Sequence, residues 1–498
     1  MTSSHPWHVL LLTYVWPDEQ ASAAGARTCA VLKHLRGRGM RCTVGCASKP
    51  DARSRHVLKA VDVDGARILP NRSERNRSML EEWAPDVVVF DRYYAEEAWS
   101  HDVRMAAPGA MRILDTQDIH GLRANRQRMA AEGCTDVEEV LRARPNAQDA
   151  IMQRELAAIM RSDLTVVVSK AEERFLERTC NVPKEKLVTA PFFRTHERLV
   201  LLEDLPNYGE RQHFVAIGNW DHAPNADAAA WLVGTLWRRV RAALPSAMAD
   251  AELHLYGARA RGKASWLDEP QDGIRFKGYM ESLEQLKNYR VLLSPLRFGA
   301  GVKGKVLDAW TYGLPVVTTP IGAEGTCQDL DHAIADALER PVSTSSPTSA
   351  CTTTTELRTS RGYVDDKAGT AQHFQNRIVP PDTAMLDLNI ANVKAKGWGG
   401  LWKASCASEL ARDAAILYSN PSMWTAMVAQ GRHILEEEFS PKASELALDT
   451  VLDTAMASLE LGRRRDYLGQ MLWGQQYRAT EYFSRWIELK EAGNQPLV

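Results

Sequence analysis

The chain has 498 residues, with 61 lysines and arginines against 63 aspartates and glutamates, so its formal net charge is −2. At about 150 residues per domain, this length corresponds to two large domains with appendages. The balanced charge excludes an overall basic surface of the kind that binds nucleic acid or anionic membranes. Apolar residues at 45% and charged residues at 25% exclude wholesale disorder.

The eight cysteines are scattered and form no CxxC pair, which excludes a zinc ribbon and a thioredoxin-type site. A reduced, cytoplasmic compartment is the economical interpretation. The longest early apolar run, 9–15, is too short for a membrane span and poor as a signal peptide. The sequence therefore predicts no transmembrane segment, and peripheral contact with a membrane stays open.

The first 190 residues alternate strand-like and helix-like segments. A helix is predicted to end at Gly39, after a loop that runs from Trp16 to Gly25. Strands alternating with helices predict a parallel, doubly wound sheet, and residues 1–190 form the expected first Rossmann-like domain on the acceptor side. The predicted strands of this domain are 9–14, 42–47, 86–90, 112–115 and 164–169.

A second α/β pattern follows an aperiodic stretch, 191–211, which we interpret as an interdomain linker. Residues 212–461 form the expected second Rossmann-like domain. Apolar residues at helical spacing predict a long helix over 225–244, and a shorter one is predicted over 305–312. The predicted strands are 213–217, 252–256, 291–294 and 315–318.

A low-complexity insertion is predicted within the second domain, at about 331–397, because its Ser/Thr/Pro-rich centre cannot bury apolar area. Residues 462–498 form a predicted helical tail. We expect this tail to pack back on the N-terminal domain. Docking of a partner is an alternative, and acidic residues such as Glu481 and Glu488 argue against a membrane-surface helix.

The most informative segment, 294–325, reads as strand, glycine loop, helix, strand and second glycine loop. Its first loop allows a ligand to approach the backbone closely, and two lysines at the start of a helix suit an anion such as pyrophosphate. An acidic residue one turn later could accept both hydroxyls of a ribose, and a solvated Lys305–Asp308 pair is the alternative. The candidate residues are Gly299, Gly301, Lys303, Lys305 and Asp308.

The second glycine loop, Gly322-Ala323-Glu324-Gly325, follows the last of these strands. Its backbone N–H groups are expected to meet a sugar or a phosphate at the carboxyl edge of the sheet. The alternative is that the loop is only a turn.

The 294–325 segment resembles the donor-binding signature of retaining glycosyltransferases of family 4 (group 1), and weaker similarity spans about 9–330 and 400–460. The resemblance implies the GT-B architecture, in which two Rossmann-like domains face a cleft that holds a nucleotide-sugar donor. Gly25 is similar to the family's N-terminal glycine loop beside the donor phosphates. Asp118 and His120 lie in a segment, 115–120, that resembles the family's short acidic/His motif.

Roles follow from this resemblance residue by residue. Lys303 would contact the diphosphate with help from Lys305, Asp308 would meet the ribose, and the loop 322–325 would face the donor sugar. His120, with Asp118 in the same motif, would lie near the reacting sugar. Ala300 stands where the family has its first paired acid, so a sugar contact is missing or is supplied by Glu324.

The predicted function is transfer of a sugar from a nucleotide-diphosphate donor to an unknown acceptor, which could be a glycan, a lipid or a small molecule. The resemblance implies retention of anomeric configuration, no metal and no cofactor besides the donor itself. A non-catalytic nucleotide-sugar-binding scaffold and a GT-B sugar-nucleotide epimerase are the alternatives.

Overall fold

The structure is a computed structural model that describes residues 6–19, 22–134, 136–190, 199–258, 267–339, 398–402, 404, 406–475 and 478–493. Two wholly parallel sheets with helices around them account for most of these residues. This arrangement confirms the predicted fold class of two doubly wound α/β domains.

The first sheet has seven strands in the order β3-β2-β1-β4-β5-β6-β7. Its central strand is apolar and buried along its whole length, as expected for a parallel strand covered on both faces. The order reverses between β1 and β4, where Val9 pairs with Val87. The strands are β1 (His8–Thr13), β2 (Arg41–Cys46), β3 (Asp64–Arg67), β4 (Val87–Asp91), β5 (Met111–Asp115), β6 (Leu164–Val167) and β7 (Leu187–Thr189).

Eight helices of this half connect the strands in the described part of the chain. Several begin with a polar side chain that accepts a backbone N–H of the first turn, for example Ser22 and Asp149. The helices are α1 (Ala23–Gly37), α2 (Ala52–Ala60), α3 (Ser73–Trp83), α4 (Tyr93–Ala106), α5 (His120–Ala131), α6 (Val137–Arg142), α7 (Ala150–Arg161) and α8 (Lys170–Arg174).

The second sheet has six strands in the order β10-β9-β8-β11-β12-β13, and its order reverses between β8 and β11. In both sheets, therefore, the loops that follow the two central strands open a crevice at the carboxyl edge. The strands are β8 (Gln212–Asn219), β9 (Leu253–Ala258), β10 (Ile274–Gly278), β11 (Tyr289–Ser294), β12 (Val316–Thr318) and β13 (Gly400–Leu401).

The predicted long helix over 225–244 is one continuous helical run that starts two residues earlier and contains a π-helical turn, Leu232–Leu236. The described helices of this half and of the C-terminal region are α9 (Ala223–Trp231), α10 (Trp237–Ala243), α11 (Gly304–Thr311), α12 (Pro320–Ala323), α13 (Gln328–Glu339), α14 (Ala407–Ser419), α15 (Pro421–Glu438), α16 (Pro441–Arg465), α17 (Tyr467–Gln475) and α18 (Arg478–Gly493).

The sequence analysis missed the four edge strands of the two sheets, β3, β7, β10 and β13. They have two to five residues, and β3 consists of Asp-Gly-Ala-Arg. Such segments lack the apolar run that identifies a buried strand, because pairing with a neighbour rather than burial fixes them.

The predicted insertion at 331–397 begins too early. Residues 331–339 belong to α13, and Asp331 on this helix is buried. The rest of the insertion, 340–397, lies outside the described residues. The same is true of the linker residues 191–198, whereas the end of the linker forms two short 3₁₀ turns, Leu202–Asp204 and Tyr208–Glu210.

The C-terminal helices lie against the N-terminal sheet. Leu448 and Leu452 of α16 join its apolar core, and Arg463 bonds Asp163 at 2.8 Å. On α17, the Trp473 ring lies under the Arg112 guanidinium, 4.0 Å from the ring centre. The described parts of the chain contain no helix that is both long enough and apolar enough to span a membrane.

Candidate functional site

The N-termini of two helices, one from each domain, meet across the crevice. A Cβ placed on Gly304, the first residue of α11, would lie 2.8 Å from the Cβ of Ala23, the first residue of α1. Because a helix N-terminus carries a partial positive charge, two such termini side by side favour an anion.

The glycine loop between β11 and α11 lies against the N-terminal domain. Gly301 has a φ of +68°, and a Cβ there would be 2.8 Å from the Cβ of Asp118 and 3.3 Å from the Gln117 carbonyl oxygen. Gln117 has a φ of +61°, which is unusual for a residue with a side chain. The structure thus brings together two motifs that the sequence analysis identified separately.

Lys303 precedes α11 and is turned into the protein. Its side chain is buried, and its Nζ donates to the Glu324 carbonyl oxygen at 3.2 Å and lies 3.8 Å from Glu324 Oε2. Burial lowers the pKa of Lys303, and the Glu324 carboxylate partly offsets this effect. In this arrangement Lys303 neutralises a carboxylate of its own domain.

Lys305, in the first turn of α11, has a different environment. Its Nζ donates to Asn225 Oδ1 at 2.7 Å, and the structure places no carboxylate within ion-pair distance of it among the described residues. Burial lowers the pKa of this ammonium group to about 8. Lys305 is therefore a partly desolvated cation at a helix N-terminus, and Asp308 lies half-buried one turn later.

Glu324 is held from both domains. Arg126 of α5, which is 1% exposed, donates to both carboxylate oxygens at 2.6 and 2.9 Å and to the Gly299 carbonyl oxygen at 2.8 Å. Burial alone would raise the pKa of Glu324, but the cations Arg126 and Lys303 hold it at about 2. A carboxylate ionised in this way can accept hydrogen bonds from sugar hydroxyls only by sharing its oxygens with Arg126.

The backbone N–H groups of the second glycine loop are already used within the protein. Those of Gly322 and Ala323 bond Thr319, that of Glu324 bonds Pro320, and that of Gly325 bonds the buried Asp331 at 2.7 Å. In this structure, therefore, the backbone N–H groups of the loop are all bonded within the protein. Its predicted contact with the donor stays a prediction.

Gly25 lies inside the first turn of α1 rather than in a loop, which corrects the predicted boundary. Its N–H bonds the capping Ser22 Oγ at 3.0 Å. A side chain at this position would clash with the Asp18 carbonyl, so only glycine allows this close approach. Gly25 thus lets the backbone of Asp18 pack against the helix that meets α11.

His120 and Asp118 form a pair beside the crevice. His120 Nε2 lies 3.2 Å from Asp118 Oδ1, and the ring is held edge-on between Tyr93 and Tyr94, with centroids at 5.5 and 5.8 Å. Asp118 also bonds Arg123 Nε at 2.6 Å. Burial would raise the pKa of Asp118, but His120 and Arg123 hold it far below its usual range.

Two buried glutamates accept hydrogen bonds from the backbone of the segment that contains Asp118 and His120. Glu155 accepts the N–H groups of His120 and Gly121 at 3.0 and 2.8 Å, and Glu172 accepts that of Ile119 at 2.8 Å. Burial raises the pKa of each glutamate to about 8. These bonds fix the orientation of the segment that carries Asp118 and His120.

The sequence analysis missed a group of residues that shape this site: Arg123, Arg126, Glu155, Glu172 and Asp331. All five lie on helices, and no motif or unusual sequence pattern surrounds them. A charged residue in such a position usually faces solvent. Their burial and their partners in other elements are visible only in the folded chain.

Comparisons with known proteins agree with this architecture. Residues 211–341 match the family model described as glycosyl transferases group 1. The search of curated proteins finds no match.

Three solved structures are similar to the chain at low sequence identity. HepE of Anabaena, solved with UDP, has a TM-score of 0.58 at 10% identity, covering 90% of this chain and 100% of its own. Sucrose-phosphate synthase of Thermosynechococcus elongatus has a TM-score of 0.55 at 12% identity, with coverage of 91% and 100%. A glycosyltransferase of Rickettsia africae has a TM-score of 0.53 at 10% identity, with coverage of 90% and 98%. The chain therefore has the GT-B fold, and its second domain contains a segment that matches group 1 glycosyl transferases.

Proposed function

We propose that the chain transfers a sugar from a nucleotide-diphosphate donor to an acceptor, with retention of anomeric configuration and without a metal. The observation that carries this proposal is the environment of the Lys305 side chain. Lys305 is a partly desolvated cation at the point where the N-termini of α1 and α11 converge, and within the described part of the chain its ammonium group bonds only the neutral Asn225 side chain. A diphosphate supplies the missing negative charge.

The chemistry follows from the charges that develop when a sugar–phosphate bond breaks. The leaving diphosphate gains negative charge, which Lys305 and the two helix N-termini stabilise. Positive charge develops on the anomeric carbon, and we assign His120, beside the ionised Asp118, to the sugar side of the crevice. Asp308 is proposed to bind the ribose, and Glu324 to stand in for the acid that Ala300 lacks.

We assign the two lysines in a different order from the one that the resemblance implies. Because Lys303 already neutralises Glu324, we propose that Lys305 makes the first contact with the diphosphate and that Lys303 fixes the second glycine loop. The fold shared with HepE, whose structure holds UDP, supports a nucleoside diphosphate as the ligand class.

The test begins with thermal-shift measurements on the wild type, Lys305→Ala and Lys303→Ala with UDP, GDP and ADP. A ligand at about 100 times its dissociation constant adds about 2.7 kcal/mol of stability, enough to shift the melting temperature by a few degrees. We expect a shift with one nucleotide in the wild type that Lys305→Ala abolishes. No shift with any of the three would contradict a donor site.

The second step uses the matching nucleotide sugar, with and without a panel of acceptors. Acceptor-dependent release of the nucleoside diphosphate, unchanged by EDTA, supports metal-independent transfer, and proton NMR of the product gives the anomeric configuration. Conversion of the sugar nucleotide without an acceptor would identify an epimerase. Binding without any turnover across the panel would identify a scaffold.

A further inference from the structure

A cluster of three possible metal ligands lies away from the crevice, at the amino ends of β8 and β9. One ligand atom from each of His213, Glu252 and His254 lies within 4.8 Å of the others, and the described residues contain one such group. β8 and β9 are adjacent parallel strands in which Val215 pairs with His254. The cluster is therefore at the edge of the second sheet opposite the carboxyl edge that carries Lys305.

His254 is already oriented as metal-bound histidines usually are. Its Nε2 lies 2.9 Å from Glu252 Oε2, and its Nδ1 lies 3.0 Å from the hydroxyl of Tyr289. That hydroxyl is in turn 2.8 Å from the hydroxyl of Tyr256. An outer hydrogen bond on the second ring nitrogen fixes the plane of an imidazole and leaves its first nitrogen for a metal ion.

His213 is held beside His254 by an unusual backbone. Its φ is +60°, in the left-handed region that few residues with a side chain adopt, and the two ring centres are 4.9 Å apart. Its Nδ1 accepts only a long hydrogen bond, 3.2 Å, from the N–H of Glu252. This conformation places the His213 ring beside that of His254, as a shared ligand site requires.

The two carboxylate oxygens of Glu252 have different hydrogen-bond partners. Oε1 accepts a hydrogen bond from Arg275 Nε at 3.1 Å, whereas Oε2 faces His254. Arg275 thus fixes the carboxylate without using the oxygen that a metal ion would take. The side chain is also partly exposed, which gives an ion a route from solvent.

We propose that His213, Glu252 and His254 bind a divalent transition-metal ion of the zinc class. Two imidazoles and one carboxylate form a ligand set that zinc accepts, with water in the fourth position, whereas magnesium and calcium prefer oxygen alone. The ion takes the place of the hydrogen bond between His254 Nε2 and Glu252 Oε2, and the neutral imidazole then carries its proton on Nδ1, which donates to the Tyr289 hydroxyl. The site joins the amino ends of two neighbouring strands and is separate from the metal-independent transfer proposed above.

The test uses the full-length chain after treatment with a chelator and its removal. We expect Zn²⁺ near equimolar concentration to raise the melting temperature, and one equivalent of Co²⁺ to give the intense visible absorption of four-coordinate cobalt. Mg²⁺ should do neither. The key variant is His213→Asn, because asparagine tolerates a positive φ but removes the imidazole. Its zinc affinity should fall by about 100-fold or more.

Two further variants separate this site from adventitious binding. His433→Asn removes an exposed histidine on α15 and should bind zinc as the wild type does. Glu252→Gln keeps the shape of the side chain and should also weaken binding, which covers the case in which His213→Asn fails to fold. Equal zinc affinity in the wild type, His213→Asn and Glu252→Gln would overturn the proposal.

Discussion

Arg126 and Glu324 form a bidentate ion pair between the two domains, with nitrogen–oxygen distances of 2.6 and 2.9 Å. Arg126 is on α5 of the first domain, and Glu324 directly follows α12 of the second. Their hydrogen bonds also include the glycine loop, through the Gly299 carbonyl oxygen, and the pair is buried. It therefore links the two domains at the glycine loops of the candidate donor site.

Arg126→Ala should destabilise the protein by about 3–5 kcal/mol, because the buried Glu324 carboxylate loses its bidentate partner and keeps only the weaker attraction of Lys303 and Arg144. Denaturant unfolding measures this loss. The matched control is Arg128→Ala on the same helix, whose ion pair with Asp149 is partly exposed and should be worth at most about 1 kcal/mol. Equal losses of unfolding free energy in the two variants would show that the interdomain pair contributes no more to stability than a partly exposed ion pair.

Nucleotide affinity should depend on the protonation of Lys305. Burial lowers the pKa of this lysine from 10.5 to about 8, so the free protein loses the charge as the pH rises above 8. A bound diphosphate favours the charged form, and affinity should therefore fall above pH 8 by up to about tenfold per pH unit. Calorimetric titration of the nucleotide from pH 6.5 to 9.5 measures the effect.

Lys305→Arg is the control for this titration, because a guanidinium group stays charged over the whole range. Its affinity should be lower than that of the wild type at pH 7 but flat with pH. If nucleotide affinity fell equally with pH in the wild type and in Lys305→Arg, the pH dependence would belong to another group.

His120→Ala should impair transfer without preventing nucleotide binding. If His120 acts on the sugar side of the crevice, kcat should fall by about 10²–10³-fold, while the dissociation constant of the nucleoside diphosphate stays within a few-fold of the wild-type value. Replacing an exposed histidine of α2, as in His56→Ala, should change neither quantity. Full transfer activity in a folded His120→Ala protein would remove this residue from the mechanism.

Glu172→Gln should stabilise the protein increasingly as the pH rises. The pKa of Glu172 is raised from 4.5 to about 8, so between these values the folded protein holds a proton that the unfolded chain has released. The wild type therefore loses stability as the pH rises from about 4.5 to 8, by at most about 1.4 kcal/mol per pH unit. Denaturant unfolding of both proteins at pH 5, 7 and 9 measures the difference.

Glu155→Gln is the contrasting variant. Glu155 also has a pKa raised to about 8, but both of its oxygens accept backbone N–H groups, and an amide nitrogen cannot. This variant should be less stable than the wild type even at pH 5. A constant difference between Glu172→Gln and the wild type over the whole pH range would show that Glu172 is ionised in the folded protein.

Gly301→Ala should open the crevice. The new methyl group would lie 2.8 Å from the Cβ of Asp118, and the φ of +68° disfavours alanine as well. We expect at least a tenfold loss of transfer and faster proteolysis between the domains. Gly234→Ala, in a helical turn with open space around it, should keep full activity. Wild-type kinetics of Gly301→Ala would show that the loop contact is not needed.

The sequence predicted the central strands of both sheets because each is a short apolar run followed by a turn signal. It also identified the glycine and lysine segment, since Gly301, Lys303 and Lys305 are close neighbours in the chain. It could not separate the two lysines. The difference between them arises from Glu324 and Asn225, which contact them from elsewhere in the sequence.

The sequence by itself determined the two α/β halves and the position of the glycine loop, because strand periodicity and glycine conformation are properties of adjacent residues. Only the tertiary structure decided which charges are buried and what they contact. Arg126 and Glu324 are 198 residues apart, and the helix patterns around them give no sign of the pair. Burial and ion pairing depend on how whole elements pack, so the chemistry of this site is defined by the folded chain.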